Sequence, residues 1–315
     1  MVDQVDFSIY RWLSPGGAAR FWAGRRVIDP RIAPGEIALK VGISESGVRS
    51  RLRHLTEGGY LRDQAVIPNP ALFGNRVFVV DLFVRQSGEI NRLVEDLGLV
   101  DAVMFARDIL DEDERKVQVY YRAENETVAS RLGGLLGRLS PKGEAGTPLP
   151  YHIPPPELSL TSTDWKVLRA VVRQPSARFA RISQQANLSL KTVARSYHRL
   201  LDSKACWWTH GPGSEEFPLS LVQAELAQAS DRPTVDRWIA KETSAWMPVA
   251  PDGLGRAPGG ESRIVAGLVP IEGPSVLERF LRRLALVEGV TRTHRTFALG
   301  SMSYSSWFRG ALDHP

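Results

Sequence analysis

The chain has 315 residues, 43% hydrophobic and 24% charged, with 40 Lys and Arg against 35 Asp and Glu. That balance suits a soluble protein of two or more domains, and its net charge of +5 permits a nucleic-acid partner without arguing for one. The single cysteine, Cys206, excludes intrachain disulfides and all-cysteine metal sites. The acidic start Met1-Val-Asp-Gln-Val-Asp6 lacks a secretory pattern, and the most apolar run, Val77 to Val84, is too short to span a bilayer and carries Asp81. A cytoplasmic protein in a reducing compartment, without a membrane partner, is expected.

Residues 1–68 predict three helices. Phe7, Ile9 and Leu13 stand at helical spacing on the first. A Gly/Pro-rich loop follows, from Ser14 to Pro30, with Arg20, Arg25 and Arg26. A short second helix ends in a turn at Gly42, and Ser44 suits the N-cap of a third, whose Val48, Leu52 and Leu55 share one face. Gly58 to Ile67 breaks the helix and continues as β-like residues, the expected wing. Residues 69–153 predict strands at Arg76–Val84, Ala102–Ala106 and Lys116–Tyr121, helices at Ser87–Leu97 and Glu126–Leu139, and an edge strand at Pro148–Ile153. That order is a ferredoxin-like βαββαβ domain. Residues 154–160 read as a linker.

The pattern then recurs. Residues 161–214 predict a second trihelical unit with Trp165, Leu168 and Val172 on its first helix, a turn at Asn187 and an N-cap at Ser189. Cys206 falls in its wing strand, beside Trp207 and Trp208. Residues 215–315 predict a second βαββαβ domain, with strands at Leu219–Leu226, Arg263–Val269 and Val290–Leu299 and helices at Thr234–Trp246 and Pro274–Leu284. Its second strand is short or lost in the Pro/Gly-rich loop 248–262. The fold class is α+β: two winged helix-turn-helix domains alternating with two ferredoxin-like domains.

An internal repeat supports this division. Glu36–Leu55 and Arg181–Leu200 align without a gap, 145 residues apart, and Ile37/Ile182, Ser44/Ser189, Val48/Val193 and Leu55/Leu200 coincide. Asp6–Leu13 aligns with Asp164–Val171 at an offset of 158, so the first copy carries 13 extra residues. Net charge follows the repeat: +3 over residues 1–68, −3 over 69–156, +6 over 157–214 and −1 over 215–315.

With Val48 and Leu52 inward, the helical turn of about 100° per residue points Ser46, Arg49, Ser50, Arg53 and His54 outward. Ser44, the N-cap, and Arg51 complete the first candidate reading face. Its counterpart carries Ser189, Lys191, Thr192, Ala194, Arg195, Ser196, His198 and Arg199. Arginine can bond two acceptors of guanine, hydroxyls serve bases or phosphates, and cations neutralise phosphates, so these faces suit the DNA major groove.

The sequence resembles the Lrp/AsnC (feast/famine) transcription regulators, as a tandem-duplicated member. Their recognition-helix pattern appears as Ser44-Glu-Ser-Gly-Val-Arg-Ser-Arg-Leu-Arg-His-Leu55 and their connector as Asn69-Pro-Ala-Leu-Phe-Gly74. The second copy, Ser189-Leu-Lys-Thr-Val-Ala-Arg-Ser-Tyr-His-Arg-Leu200, has Ser196 where the family has Arg, and its connector is reduced to Glu215-Glu-Phe-Pro218. The resemblance implies sequence-specific binding of double-stranded DNA and a homodimer or higher homo-oligomer formed through the ferredoxin-like (RAM) domains. It also implies a small effector, such as an amino acid, at their interface. Arg107-Asp-Ile-Leu-Asp111 and Pro248-Val-Ala-Pro-Asp252 depart from the family's Gly-x-x-Asp-like turn, so no effector residue carries over.

No catalytic, cofactor or metal site is expected. The six histidines form no ligand pair, and the acidic run Asp108, Asp111 to Glu114 lacks the spacing and internal glycine of a calcium loop. Gly253 to Gly260 follows no strand and opens no helix, against a phosphate loop. Two alternatives remain beside a regulator. One is a sequence-tolerant architectural DNA binder. The other is an enzyme, since siroheme decarboxylases share this tandem architecture; His294, Arg292 and Arg295 are its only candidates, and the Asn-Tyr-x-Arg-type signature is absent.

Overall fold

The computed structural model describes residues 4–13, 33–58, 61–86, 88–110, 114–151, 153, 155–212, 219–242, 247–249, 263–270, 274–303, 307–308 and 312. In chain order it holds α1 (Gln4–Leu13), α2 (Pro34–Val41), α3 (Glu45–Glu57), β1 (Leu61–Pro68), β2 (Arg76–Phe83), α4 (Glu89–Leu97), β3 (Val103–Leu110), β4 (Arg115–Ala123), α5 (Glu126–Leu139) and β5 (Leu149–Tyr151). There follow α6 (Ser162–Arg173), α7 (Phe179–Ala186), α8 (Leu190–Asp202), β6 (Cys206–Pro212), β7 (Leu219–Leu226), α9 (Arg232–Glu242), β8 (Met247–Val249), β9 (Ile264–Pro270), α10 (Pro274–Leu284) and β10 (Val290–Ser303). The arginines of the 14–30 loop, the acidic residues 111–113, the reduced connector 215–218 and the Gly-rich 250–262 lie outside the described residues.

Both trihelical units form for the expected reasons. Gly42 and Asn187 end the second helices in the left-handed region, at φ 77° and 51°. Ser44 and Ser189 cap the third helices, accepting from the backbone of Gly47 and Thr192. Ile9, Leu13, Ile37, Val48 and Leu55 close the first core. In the second, Val167, Leu168, Val171, Ile182, Val193 and Leu200 do so. That second core is not confined to its own helices. It continues into Val66 of β1, Val77 of β2 and the distant Trp307, Phe308 and Leu312.

The segments predicted as wings are strands, but β1 and β6 pair with each other instead of folding back within their own units. Their register is reciprocal. Gln64 meets His210 and Ala65 meets Thr209, while by the repeat offset Gln64 corresponds to Thr209 and Ala65 to His210. Equivalent strands meeting in this way form an isologous contact, here within one chain. The connector closes the joint. Asn69, fully buried, caps the turn Pro70–Phe73 and donates from Nδ2 to the Lys204 carbonyl at 2.9 Å.

Cys206 lies buried on β6, and burial pushes its thiol up to about 12. The native protein is therefore expected to resist thiol reagents until it is unfolded. Rapid stoichiometric labelling of the folded chain would refute this.

The remaining strands form one sheet in the order β5-β2-β4-β3-β10-β7-β9-β8. Each half has the ferredoxin-like order, and the predicted second strand of the second half is β8, three residues long at the edge. The joint was not foreseen. β10 runs on to Ser303. Its first part pairs with β7 and its last part, Phe297–Ser303, pairs with β3. Helices cover one face of each half, over Phe78, Val80, Leu82 and Val119 in the first and Val222, Ala224 and Leu226 in the second. Among the described residues, no helix is long and apolar enough to cross a membrane.

Candidate nucleic-acid interface

On α3, Ser46, Arg49, Ser50, Arg53 and His54 are exposed, as the helical wheel predicts. The Ser44 and Ser46 hydroxyls lie 3.1 Å apart. Arg49 is held along the helix by Glu45, Nη2 to Oε1 2.6 Å, a surface pair that orders the side chain more than it stabilises the fold. Arg51 behaves differently. It is half-buried and pairs with Asp6 of α1 at 2.7 Å, where Asp6 is 2% exposed. The residue that matches the family's arginine thus braces α3 against α1.

On α8, Lys191, Arg195 and His198 are exposed, and His198 packs edge-on to Phe179 and Tyr197. Thr192 is half-buried, with its hydroxyl 2.8 Å from that of Ser189. Ser196 corrects the sequence reading: it is 4% exposed and donates to Asp164 Oδ1 at 2.6 Å, so it faces inward. Arg199 Nη2 reaches Asp164 Oδ2 at 2.5 Å. The two trihelical units therefore solve one problem with different residues. A buried acid on the first helix, Asp6 or Asp164, must be neutralised by the third. The first unit uses Arg51. The second has serine at that place and supplies the charge from Arg199, one turn later. Burial alone would push the Asp164 carboxyl up; hydrogen bonds from Ser196 and Thr161 and the Arg199 charge outweigh it and hold it below the usual carboxylate value.

On the side of the sheet away from the covering helices lies a half-open cavity of about 450 Å³, lined from both halves by Asp81, Lys116, Gln118, Glu225 and His294 among others. Asp81 accepts from Lys116 at 2.8 Å and from Gln118 at 3.1 Å, and His294 Nε2 lies 3.4 Å from Glu225. The alternation of β10 separates the enzyme candidates. His294 lines this cavity, whereas Arg295 faces α10 and pairs with Glu278 at 3.6 Å. Asp81, Lys116 and Gln118 were missed by sequence reasoning. Their signal was the polar Asp81 in an otherwise apolar strand. Among the described residues, no cluster of His, Cys, Asp or Glu could hold a metal ion.

A family model described as winged helix-turn-helix DNA-binding matches residues 29–62. The chain thus carries a DNA-binding type of helix-turn-helix. No curated protein sequence matches it. Among solved structures, it is similar to the siroheme decarboxylase NirDL, at 12% identity over 98% of this chain and 100% of that one, with a TM-score of 0.49. It is also similar to an AsnC family transcriptional regulator from Agrobacterium tumefaciens, at 18% identity over 43% and 80% of the two chains, with a TM-score of 0.30. Against AsnC of E. coli the figures are 15%, 51%, 98% and 0.30.

Proposed function

We propose that the protein is a sequence-specific, double-stranded DNA-binding transcription regulator, not an enzyme, in which a duplicated unit gives one chain two reading heads. The observation that carries this is the β1–β6 ribbon, whose reciprocal register joins two helix-turn-helix units as a dimer interface would. Two-fold readers of this kind set their recognition helices about 34 Å apart, one turn of DNA. The helix-turn-helix match over residues 29–62 supports the same reading. Further pairing of chains through the ferredoxin-like domains would bring four heads together. The same reading assigns a small polar effector to the cavity on the sheet, which an acid, an amine and an imidazole line. Gel shifts with genomic fragments are expected to reveal specific binding that weakens steeply as salt rises, through release of counterions from neutralised phosphates. Absence of duplex binding at low salt overturns the proposal, and equal affinity for random and genomic fragments favours an architectural binder instead.

One observation favours a second reading, decarboxylation of siroheme: His294 sits with Lys116 in a cavity lined from both half-sheets. Incubation of the purified chain with siroheme separates the readings. An absorption change that tracks loss of carboxylate supports the enzyme; an unchanged spectrum leaves the regulator.

A further inference from the structure

The ribbon and the apolar cores treat the two helix-turn-helix units as equivalent, and so do the N-caps Ser44 and Ser189, yet the outward positions along the third helices differ. Inward positions agree: Ile37 with Ile182, Val48 with Val193, Leu55 with Leu200, all fully or nearly fully buried. At the same offset, the outward positions pair Glu45 with Leu190, Ser46 with Lys191, Arg49 with Ala194, Ser50 with Arg195 and Arg53 with His198. Every one of these five pairs differs in chemistry. Two heads alike in their apolar cores and unlike outside do not read the same sequence twice. We infer that the chain recognises a non-palindromic operator, made of two unlike half-sites about one DNA turn apart; this rests on the DNA-binding reading above.

The chemistry of each half-site follows from the exposed groups. The first head carries Glu45 and Arg49 locked together at 2.6 Å. A carboxylate accepts from the amino group of cytosine, and an arginine beside it bonds O6 and N7 of guanine, so this head suits a G·C-rich step. Leu190, at the start of α8, is 54% exposed, an unusual place for a large apolar residue on a solvated helix. Its methyl groups suit the C5-methyl of thymine, while Lys191 and Arg195, both exposed, suit an adjacent guanine. The second head therefore calls for a thymine-containing half-site. Charge separates the heads as well: Glu45 and Arg49 pair in the first turn of α3, whereas the first turn and a half of α8 carries Lys191 and Arg195 and no acidic residue. A homodimer of identical heads is bound to a palindrome by its own symmetry; a two-headed single chain is free of that constraint.

Selection of the full-length chain from a library of random duplexes tests this, with native mass spectrometry giving the number of chains per selected site. The expected result is one chain on a site whose two half-sites differ. The head-swapped variant, Leu190→Glu with Lys191→Ser, Ala194→Arg, Arg195→Ser and His198→Arg, places the first face on both units and leaves the buried positions intact. It is expected to select a site with two like half-sites. Circular dichroism melting confirms that the variant is folded. A palindrome selected by the natural chain, or a single half-site with no second element, overturns the inference while leaving DNA binding standing. No enrichment of any duplex overturns the DNA-binding reading itself, and the inference with it.

Discussion

Replacing Asp164 with alanine is expected to cost the second helical unit about 3 kcal/mol. The carboxylate has a side chain 3% exposed and accepts from Ser196 Oγ at 2.6 Å, from Thr161 Oγ1 at 2.6 Å and from the Thr161 backbone at 2.8 Å, besides its contact with Arg199. Breaking a buried ion pair by removing one partner costs roughly 3–5 kcal/mol. Arg199 is 40% exposed, which screens its loss and favours the lower figure. Loss of the capping box at Thr161 adds about 1 kcal/mol to a smaller pair term. The buried Nε of Arg199 has no partner even in the intact network, so removing the acid leaves the guanidinium still less satisfied. Because this core also holds Val66, Val77 and Trp307, its loss should loosen the ribbon and the adjoining sheet together. Urea denaturation at pH 7 checks the value; a loss below 1 kcal/mol would refute the account. The pH dependence has a definite sign. The folded-state pKa of Asp164 is depressed, so its stabilisation is present above the unfolded-state value and is lost as pH falls through the folded one. The stability difference between the natural and variant proteins should therefore begin to narrow only as pH falls below about 4.

The network also shows where sequence reasoning stopped. Apolar periodicity and capping residues made the helices legible: α5 and α10 run over Glu126–Leu139 and Pro274–Leu284, as predicted. Local signals suffice there, because each is written within a few residues. Arg51 and Ser196 were not legible on the same terms. Each stands three residues after an inward valine, at the border of the apolar stripe, where a helical wheel cannot decide between solvent and a buried acid. The aligned acids Asp6 and Asp164 were the available clue. The ribbon was hidden for another reason. A strand reads as a strand from its own residues, but its partner is chosen by the whole fold, and β1 and β6 are separated by 137 residues between Pro68 and Cys206. β10 runs past the predicted end at Leu299 through Gly300-Ser-Met-Ser303, whose composition is that of a loop. Pairing with β3 overrides that local preference and ties one half-sheet to the other.

Two arginines of α8, four residues apart, are expected to fail in opposite ways. Arg195 is exposed on the outward face, and Arg199 is bound to Asp164. Arg195→Ala should leave melting unchanged and lower duplex affinity by about 5- to 150-fold, the range that corresponds to 1–3 kcal/mol for a bidentate guanine contact. If Arg195 reads a base, the loss falls on the preferred sequence alone and specificity relaxes at one position. If it neutralises a phosphate, affinity drops on all duplexes alike and the salt dependence flattens by about one unit of slope. Arg199→Ala should instead destabilise the fold and, at temperatures where the protein stays folded, bind DNA nearly as the natural chain does. The pair separates recognition from support within a single helix, since the two side chains share a cation and differ only in what they touch. An unchanged affinity in Arg195→Ala would remove α8 as a reading head. A large affinity loss in a fully stable Arg199→Ala would show that the Asp164 contact gives way when DNA is bound, freeing the guanidinium for a phosphate.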